Sequence, residues 1–292
     1  MTTIEIQGVK HAYELTSSLS TTKQQPTLVF IHGWLLSRYY WRPLIQHLQS
    51  HYPCLSYDLR GFGESQSSPQ SICRSLGYSP ASYATDLGLL LESLNIQQAW
   101  LVGHSLGGTI ALIAADQLPE QVKGVICVNA GGGIYLKEEF EKFRAAGQQI
   151  VKFRPRWLKG VPFLDILFSR TQVARPIPRQ WGRQRVIDFV VADPEAALGS
   201  LLDSTTEAEV HRLPQVLSRL KQPVYFFAGT EDRVMEPKYV KYLASFHWMF
   251  KQGGGNVIEI PNCGHFAMIE QTDAIASHIL SLLSKEDFNR EQ

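Results

Sequence analysis

The stretch LVGHSLGGTIAL, residues 101–112, places a serine and a histidine among three glycines. A glycine-rich turn between a strand and a helix either cradles phosphate groups or holds up a nucleophile. A phosphate-binding loop needs a lysine after its glycines, and a dinucleotide site needs Gly-x-Gly-x-x-Gly; the stretch fits neither pattern. It does fit Gly-x-Ser-x-Gly at 103–107, which predicts Ser105 as a nucleophile on a sharp turn. The alternative is a glycine-rich turn with an idle serine.

A serine hydroxyl is a weak nucleophile at neutral pH, so it needs a general base. His265 follows a glycine just past the apolar run at 256–260, which predicts a strand. Open α/β sheets place their sites beyond the carboxyl ends of their strands. We therefore predict His265 as the base, although an isolated histidine is often only a surface or core residue.

The base must in turn be held by an acid, and the acid is expected between the serine and the histidine in chain order. The apolar run at 223–229 is followed by Glu231 and Asp232. We predict Asp232 as the orienting acid, with Glu231 as the rival and a helix cap as the structural alternative. An acid after the run at 122–128 is excluded, because Asn129 stands there.

Acyl transfer also needs backbone N–H donors for the oxyanion of its tetrahedral intermediate. One donor is expected from Leu106, the residue after the nucleophile. The other is expected from Trp34, in the His-Gly-Trp turn that follows the apolar run at 27–31. In this interpretation His32 braces the loop; the alternative is that the three residues form only a turn.

These residues need an α/β scaffold to bring them together. Continuous apolar runs predict buried strands at 27–33, 53–61, 98–104, 122–131, 223–229 and 256–264. Helical patterns lie between them, at 80–94, 106–118 and 274–283. Strands that alternate with helices predict a mostly parallel central sheet with helices on both faces. Residues 3–7 and 10–16 are expected to add an antiparallel hairpin at its edge.

The segment 131–214 interrupts this alternation with helical patterns and no convincing buried strand. We interpret it as an inserted helical cap, with 1–130 and 215–292 forming the core. Between residues 142 and 185 it carries eleven Lys or Arg and one acid, with aromatic residues interleaved. Three interpretations compete: a solvated basic face, a cap that rests on an anionic membrane, and recognition of an anionic substrate or partner.

Composition excludes several other classes of protein. A net charge of +1 argues against a nucleic-acid binder. The N-terminal segment has no signal-peptide pattern, and no apolar run approaches the ~20 residues of a membrane span. The four cysteines are far apart and form no Cys-x-x-Cys pair, which disfavours a disulfide framework or a zinc site. The chain is therefore expected to be soluble and cytoplasmic.

Several motifs together resemble the α/β-hydrolase superfamily over nearly the whole chain outside the cap. They are His-Gly-Trp at 32–34, Asp-x-Arg-Gly-x-Gly-x-Ser at 58–65, Gly-His-Ser-x-Gly-Gly at 103–108, Gly-x-x-Asp at 229–232 and Gly-His-Phe at 264–266. The resemblance implies an α/β-hydrolase fold and acyl transfer through a covalent intermediate, with no metal or cofactor. It implies structural roles for Asp58, Arg60, Gly61 and Gly63. A serine at position 105 speaks against the members that use an Asp nucleophile.

The function expected from these residues is a serine hydrolase of the carboxylic ester class. Its substrate is expected to be an ester, thioester or lactone of a largely apolar small molecule or lipid. His104, Phe266 and Met268 are candidates for the substrate pocket. A C–C bond hydrolase, a cofactor-free perhydrolase and a non-catalytic binding protein on the same fold remain the alternatives, and the oligomeric state is left open.

Overall fold

A computed structural model of the chain describes residues 2–17, 25–65, 75–130, 137–253 and 255–291. The described residues form one eight-stranded sheet with the strand order β1-β2-β4-β3-β5-β6-β7-β8. The strands are β1 Thr2–Ile6, β2 Val9–Thr16, β3 Thr27–Ile31, β4 Cys54–Tyr57, β5 Ala99–His104, β6 Val122–Val128, β7 Val224–Gly229 and β8 Val257–Ile260. The hairpin of β1 and β2 is antiparallel, as expected, and β3 to β8 run parallel.

Helices cover both faces of this sheet, which confirms the predicted fold class. They are α1 Arg42–Leu48, α2 Pro80–Ser93, α3 Leu106–Gln117, α4 Lys137–Lys152, α5 Leu164–Phe168, α6 Arg179–Val191, α7 Pro194–Ser204, α8 Glu207–Arg219, α9 Pro237–Ala244, α10 Trp248–Lys251, α11 Ala267–Glu270 and α12 Thr272–Glu291. Two 3₁₀ helices cover Arg38–Trp41 and Arg156–Gly160. No helix in the described part of the chain is long and apolar enough to cross a membrane.

The sheet divides the core into two apolar layers. In β3, Leu28 and Phe30 pack into one layer while Val29 and Ile31 pack into the other, because successive side chains of a strand point to opposite faces. All four side chains are fully buried. Burial of each contributes about 1.5–3 kcal/mol to stability. The continuous apolar run in the sequence reflects this burial on both sides.

Every regular element described between β6 and β7, from α4 to α8, is a helix, and irregular stretches connect these helices. The predicted boundary between cap and core, after residue 214, lies inside α8. Pro214 is an interior residue of that helix, which contacts α3 of the core. The helix therefore continues through this proline, and burial of its apolar residues offsets the local cost of the proline.

The loop after β4 has a structural role, as the resemblance implied. Asp58 is fully buried; its Oδ1 accepts a hydrogen bond from the Arg38 N–H at 2.6 Å, and its Oδ2 accepts one from the Glu64 N–H at 2.8 Å. Its carboxylate also pairs with the Arg38 guanidinium. Arg60 pairs with the buried Asp86 at 2.9 Å. These contacts fix the loop beside β4.

Candidate functional site

Ser105 lies at the turn between β5 and α3 in a backbone conformation that side chains rarely adopt, with φ 51° and ψ −119°. Such strain persists only where the surroundings fix it. The Ser105 N–H donates to the Val128 carbonyl at 3.2 Å. A Cβ at Gly103 would overlap the Gly107 carbonyl, and one at Gly107 would overlap the Ile31 carbonyl. The glycines therefore allow β5, α3 and β3 to pack closely around a raised serine.

Asp232 and His265 lie together at the carboxyl ends of neighbouring strands. His265 Nδ1 lies 2.8 Å from Asp232 Oδ2, and both residues are buried. Asp232 Oδ1 also accepts the backbone N–H groups of Val234 and Met235, at 2.8 and 3.0 Å. Burial favours the neutral acid, but the electrostatic effect of His265 and the hydrogen bonds to the carboxylate together lower the pKa of Asp232 below its ordinary value. An ionised Asp232 accepts a hydrogen bond from the Nδ1–H group of His265. This arrangement leaves Nε2 of His265 free to take up a proton.

Glu231, the rival acid, is exposed beside this pair. Its backbone N–H donates to the Cys263 carbonyl at 2.9 Å. The structure brings Asp232, not Glu231, to His265.

Ser105 and His265 line one cavity of about 490 Å³ between the sheet and the cap helices. Most of its other lining residues are apolar, including Leu36, Phe168 and Leu213. Ser105 Oγ donates no hydrogen bond to any residue that the structure describes. Bonds between a nucleophile and its base are often long in unliganded enzymes and shorten when substrate binds.

The His-Gly-Trp turn lies directly against the serine turn. A Cβ at Gly33 would stand 3.2 Å from Ser105 Cβ. His32 braces the turn: its Nδ1–H donates to the Gly33 carbonyl at 2.8 Å, and its Nε2 accepts the Leu59 N–H at 2.9 Å. Burial lowers the pKa of His32 to about 4, so the ring is neutral and can donate one hydrogen bond and accept another.

The two predicted oxyanion donors flank this contact. Over the described ranges, the N–H groups of Trp34 and Leu106 donate to no other protein group, so both remain available to a ligand. The Trp34 indole N–H donates to the Ala197 carbonyl of α7 at 2.8 Å. The loop is thereby tied to a cap helix.

His104 joins the serine turn to the histidine loop. Its Nε2–H donates to the His265 carbonyl at 2.7 Å, and its ring lies 4.7 Å from the ring of His265 and 5.7 Å from that of Phe266. Burial lowers its pKa to about 3, so the ring is neutral. His104 and Phe266 also line the cavity.

Met268 is placed differently from our expectation. It lies in α11, is fully buried and packs in the core layer with Ile275 and Ile279 of α12. It is absent from the described residues that line the cavity. The structure therefore places Met268 in the packing of the helix against the core and not in the described cavity lining.

Asn129 contacts Asp232 directly. From the sequence it was only a strand end without an acidic residue. Its Nδ2 donates to Asp232 Oδ2 at 2.8 Å and to the Gly264 carbonyl at 3.0 Å. It is fully buried, with a positive φ of 47°. The available signal was its position at the end of a strand that neighbours β7.

A cap segment also reaches the histidine loop. The Gln172 carbonyl accepts the His265 N–H at 2.8 Å. The Glu270 carboxylate accepts three backbone N–H groups, from Gly264 and Phe266 at 2.9 Å and from Ala174 of the cap at 2.8 Å. Glu270 therefore binds the cap segment and the histidine loop to each other. The sequence carried no signal for these contacts.

Arg185 of α6 reinforces the same segment. Its guanidinium donates to the carbonyls of Phe168 and Thr171 and to Gln172 Oε1, and it lies 4.2 Å from the centre of the Phe266 ring. Burial lowers its pKa to about 10, which still leaves it charged. It lines the cavity and forms no ion pair with a described carboxylate.

Chemically, the site combines a strained serine, a buried imidazole with one free nitrogen, an ionised acid and two free backbone donors around an apolar cavity. That set is suited to nucleophilic attack on a carbonyl group. Within the described ranges, no three His, Cys, Asp or Glu side chains are grouped to hold a metal ion.

Comparisons with known proteins place the chain in a family. The family model for the alpha/beta hydrolase fold matches residues 26–174. An uncharacterized protein of Mycobacterium tuberculosis, Rv2715, is 32% identical over 279 residues, covering 89% of this chain and 74% of that protein. The 2-succinyl-6-hydroxy-2,4-cyclohexadiene-1-carboxylate synthase of Enterobacter sp. is 29% identical over 263 residues, covering 88% of this chain and 92% of the relative.

The fold is shared with solved structures as well. A thermophilic esterase from Thermogutta terrifontis superposes with a TM-score of 0.75 at 21% identity, covering 98% of this chain and 99% of the esterase. The chain belongs to the α/β-hydrolase family.

Proposed function

We propose that the protein is a serine hydrolase that cleaves an ester, thioester or lactone of a largely apolar small molecule or lipid. The observation that carries this proposal is that Ser105 and the hydrogen-bonded pair of His265 and Asp232 meet at one apolar cavity. A buried polar pair at the wall of an apolar cavity is the usual form of a small-molecule site.

The first half-reaction forms an acyl-enzyme. Ser105 Oγ attacks the carbonyl carbon while its proton passes to Nε2 of His265. The Trp34 and Leu106 N–H groups bind the oxyanion, and Asp232 stabilises the imidazolium through Nδ1. When the tetrahedral intermediate collapses, the bond to the leaving group breaks and His265 returns its proton to the departing oxygen or sulfur.

The second half-reaction releases the acid. A water molecule gives a proton to His265 and attacks the acyl carbon, and the same two N–H groups bind the new oxyanion. Collapse breaks the bond to Ser105 Oγ, which recovers its proton from His265. The neutral His104 ring, hydrogen-bonded to the His265 carbonyl, helps to hold the base in place during both steps.

A second candidate function is cleavage of a C–C bond in a substrate that carries a carboxylate. The observation that favours it is Arg185, a buried cation in the cavity lining that forms no salt bridge with a described residue, although the charge of Glu270 acts on it. The name of the Enterobacter relative likewise contains a cyclic carboxylate. A panel of apolar acyl esters and of carboxylated ring-cleavage substrates, compared by kcat/KM, distinguishes the two functions.

A fluorophosphonate probe tests the serine directly. We expect the probe to label the folded protein stoichiometrically, with labelling and ester hydrolysis both abolished in Ser105→Ala. Ser218→Ala is the matched control, since Ser218 is exposed on α8 and its hydroxyl bonds to the Gln215 carbonyl. The proposal fails if a correctly folded protein is not labelled and Ser105→Ala hydrolyses the same esters as the parent.

A further inference from the structure

Large apolar side chains are exposed in one part of the cap. Of the eight large hydrophobic residues that are exposed in the described chain, five lie between residues 150 and 167. Their exposed fractions are 44% for Ile150, 73% for Phe153, 68% for Trp157, 71% for Phe163 and 56% for Leu167. Single exposed apolar residues are normal, but a concentration of them marks an interaction surface.

The backbone of this segment holds the side chains outward. Phe153 follows the last turn of α4, and Trp157 lies in the 3₁₀ helix Arg156–Gly160. Phe163 immediately precedes α5 with a φ of 62°, a left-handed conformation that is unfavourable for a bulky aromatic residue. A strained residue that exposes a phenyl ring is the kind of exception that accompanies function.

Unpaired cations surround these apolar side chains. Lys152, Arg156, Lys159 and Arg170 are exposed, and none forms a salt bridge with a residue that the structure describes. The one acid of the segment, Asp165, is neutralised by Arg179 at 2.8 Å. The surface is therefore both apolar and positively charged.

We propose that residues 150–170, which we call the cap rim, bind the surface of an anionic phospholipid bilayer. Aromatic and aliphatic side chains enter the boundary between headgroups and acyl chains, while Lys and Arg side chains bind the lipid phosphates. A bilayer of this kind satisfies both properties of the rim at once. A purely apolar partner would leave the cations unpaired.

The cap rim is continuous with the cavity. Ile150 is exposed in the rim and also lines the cavity, and Phe168, next to the exposed Leu167, lines it from α5. An acyl chain that leaves the bilayer could thus follow apolar side chains from the rim to Ser105. Only this route to the serine rests on the proposed hydrolase function; binding to the bilayer does not.

Vesicle co-sedimentation tests the binding with the full chain. We expect binding to vesicles of phosphatidylcholine mixed with phosphatidylglycerol, weak binding to phosphatidylcholine alone, and loss of binding at high salt because the phosphate contacts are screened. The catalytically inactive Ser105→Ala is expected to bind as the parent does. That arm separates failure of the membrane proposal from failure of the hydrolase proposal.

Two variants locate the contact. The double variant Trp157→Ser with Phe163→Ser is expected to weaken partitioning about tenfold or more, since it removes two interfacial aromatic anchors. The triple variant Lys152→Gln, Arg156→Gln and Lys159→Gln is expected to weaken it about fivefold for each cation removed. Trp248→Ser, which removes an exposed tryptophan outside the rim, is the matched control and should bind normally.

Three results would overturn the proposal. One is the absence of salt-sensitive binding to the anionic vesicles. Another is binding that survives both rim variants. The third is concentration-dependent self-association of the parent that the aromatic double variant abolishes, because the rim would then be an interface between two copies of this chain.

Discussion

Asp232 accepts four hydrogen bonds, from His265, Asn129, Val234 and Met235. The carboxylate is buried, so each lost donor would leave an acceptor with no water to replace it. This arrangement keeps the acid ionised and fixes the direction in which Oδ2 meets the imidazole. Two of the four donors are side chains, His265 and Asn129. Of these, His265 is proposed to transfer protons and Asn129 is not.

Asn129→Ala is expected to lower kcat about tenfold, since a hydrogen bond to a charged group contributes about 1.5–3 kcal/mol and about 1.4 kcal/mol corresponds to a factor of ten. The hydrogen bond from the Asn129 side-chain amide lowers the pKa of Asp232, so its removal should raise that pKa. Activity would then be lost at a higher pH than in the parent as the solution is acidified. The measurement is the pH profile of kcat, with thermal unfolding as the control for folding; an unchanged acidic limb would contradict the role.

The residues of the site divide by how far their role depends on tertiary contacts. Ser105, Asp232 and His265 could be proposed from local patterns, since each follows a strand in a recognisable turn. Asn129 could not, because its role depends on β6 lying beside β7. The position of the Met268 side chain was not predictable for a related reason. The short helix α11 determines where this side chain points, and a helix of four residues gives no periodic pattern in the sequence.

Among the structural elements, the cap segment before α6 and the histidine loop share backbone contacts. Gln172 accepts the His265 N–H, and Glu270 binds Ala174 together with Gly264 and Phe266. Bonds from N–H groups to a carboxylate are stronger than those between neutral groups. The orientation of His265 therefore depends on a cap element as well as on Asp232.

Glu270→Gln is expected to lower kcat more than it changes KM. The amide has one acceptor oxygen and one NH₂ donor, so it cannot accept all three N–H groups that the carboxylate accepts, and the histidine loop would be held less firmly. It should also reduce the free energy of unfolding by about 1–3 kcal/mol. Steady-state kinetics and urea unfolding measure the two effects. Glu92→Gln, at an exposed position of α2, controls for loss of one charge; equal kinetics in both variants would exclude a positioning role.

Element types were predictable where burial alone determines them. The parallel strands and helices α2, α3 and α12 follow from apolar periodicity, and Ser79 caps α2 as its position before Pro80 suggests. The course of α8 through Pro214 was not predictable from local propensity, because this helix packs against α3 of the core. Local propensity is a weak guide where packing decides.

Across the whole molecule, burial keeps several histidines neutral. It lowers the pKa of His32 to about 4, of His104 to about 3 and of His247 to about 4. Between these values and the ordinary pKa near 6.5, the unfolded chain binds more protons than the folded one. Each such histidine therefore stabilises the fold above pH 6.5 and loses that contribution as the pH falls through this interval.

His247 offers a test of this linkage away from the cavity. Its Nε2–H donates to the Gln222 carbonyl at 3.1 Å. In His247→Gln, the dependence of unfolding free energy on pH should weaken by about 2 kcal/mol between pH 7 and pH 5 relative to the parent. Urea unfolding at the two pH values measures the difference, and comparison with the parent cancels all other groups. Identical slopes would show that folding does not lower the pKa of His247.

The hydrogen bond from His265 to the Gln172 carbonyl has a further consequence for how the molecule can move. If this side of the cap lifted from the sheet, it would break the bond and remove one of the contacts that orient His265, the proposed base. Water that entered through such an opening would meet a site whose proposed base is less firmly oriented. Substrate that entered along the cap rim, at Ile150, need not break this bond, so in the proposed reaction His265 keeps its cap contact while the cavity fills.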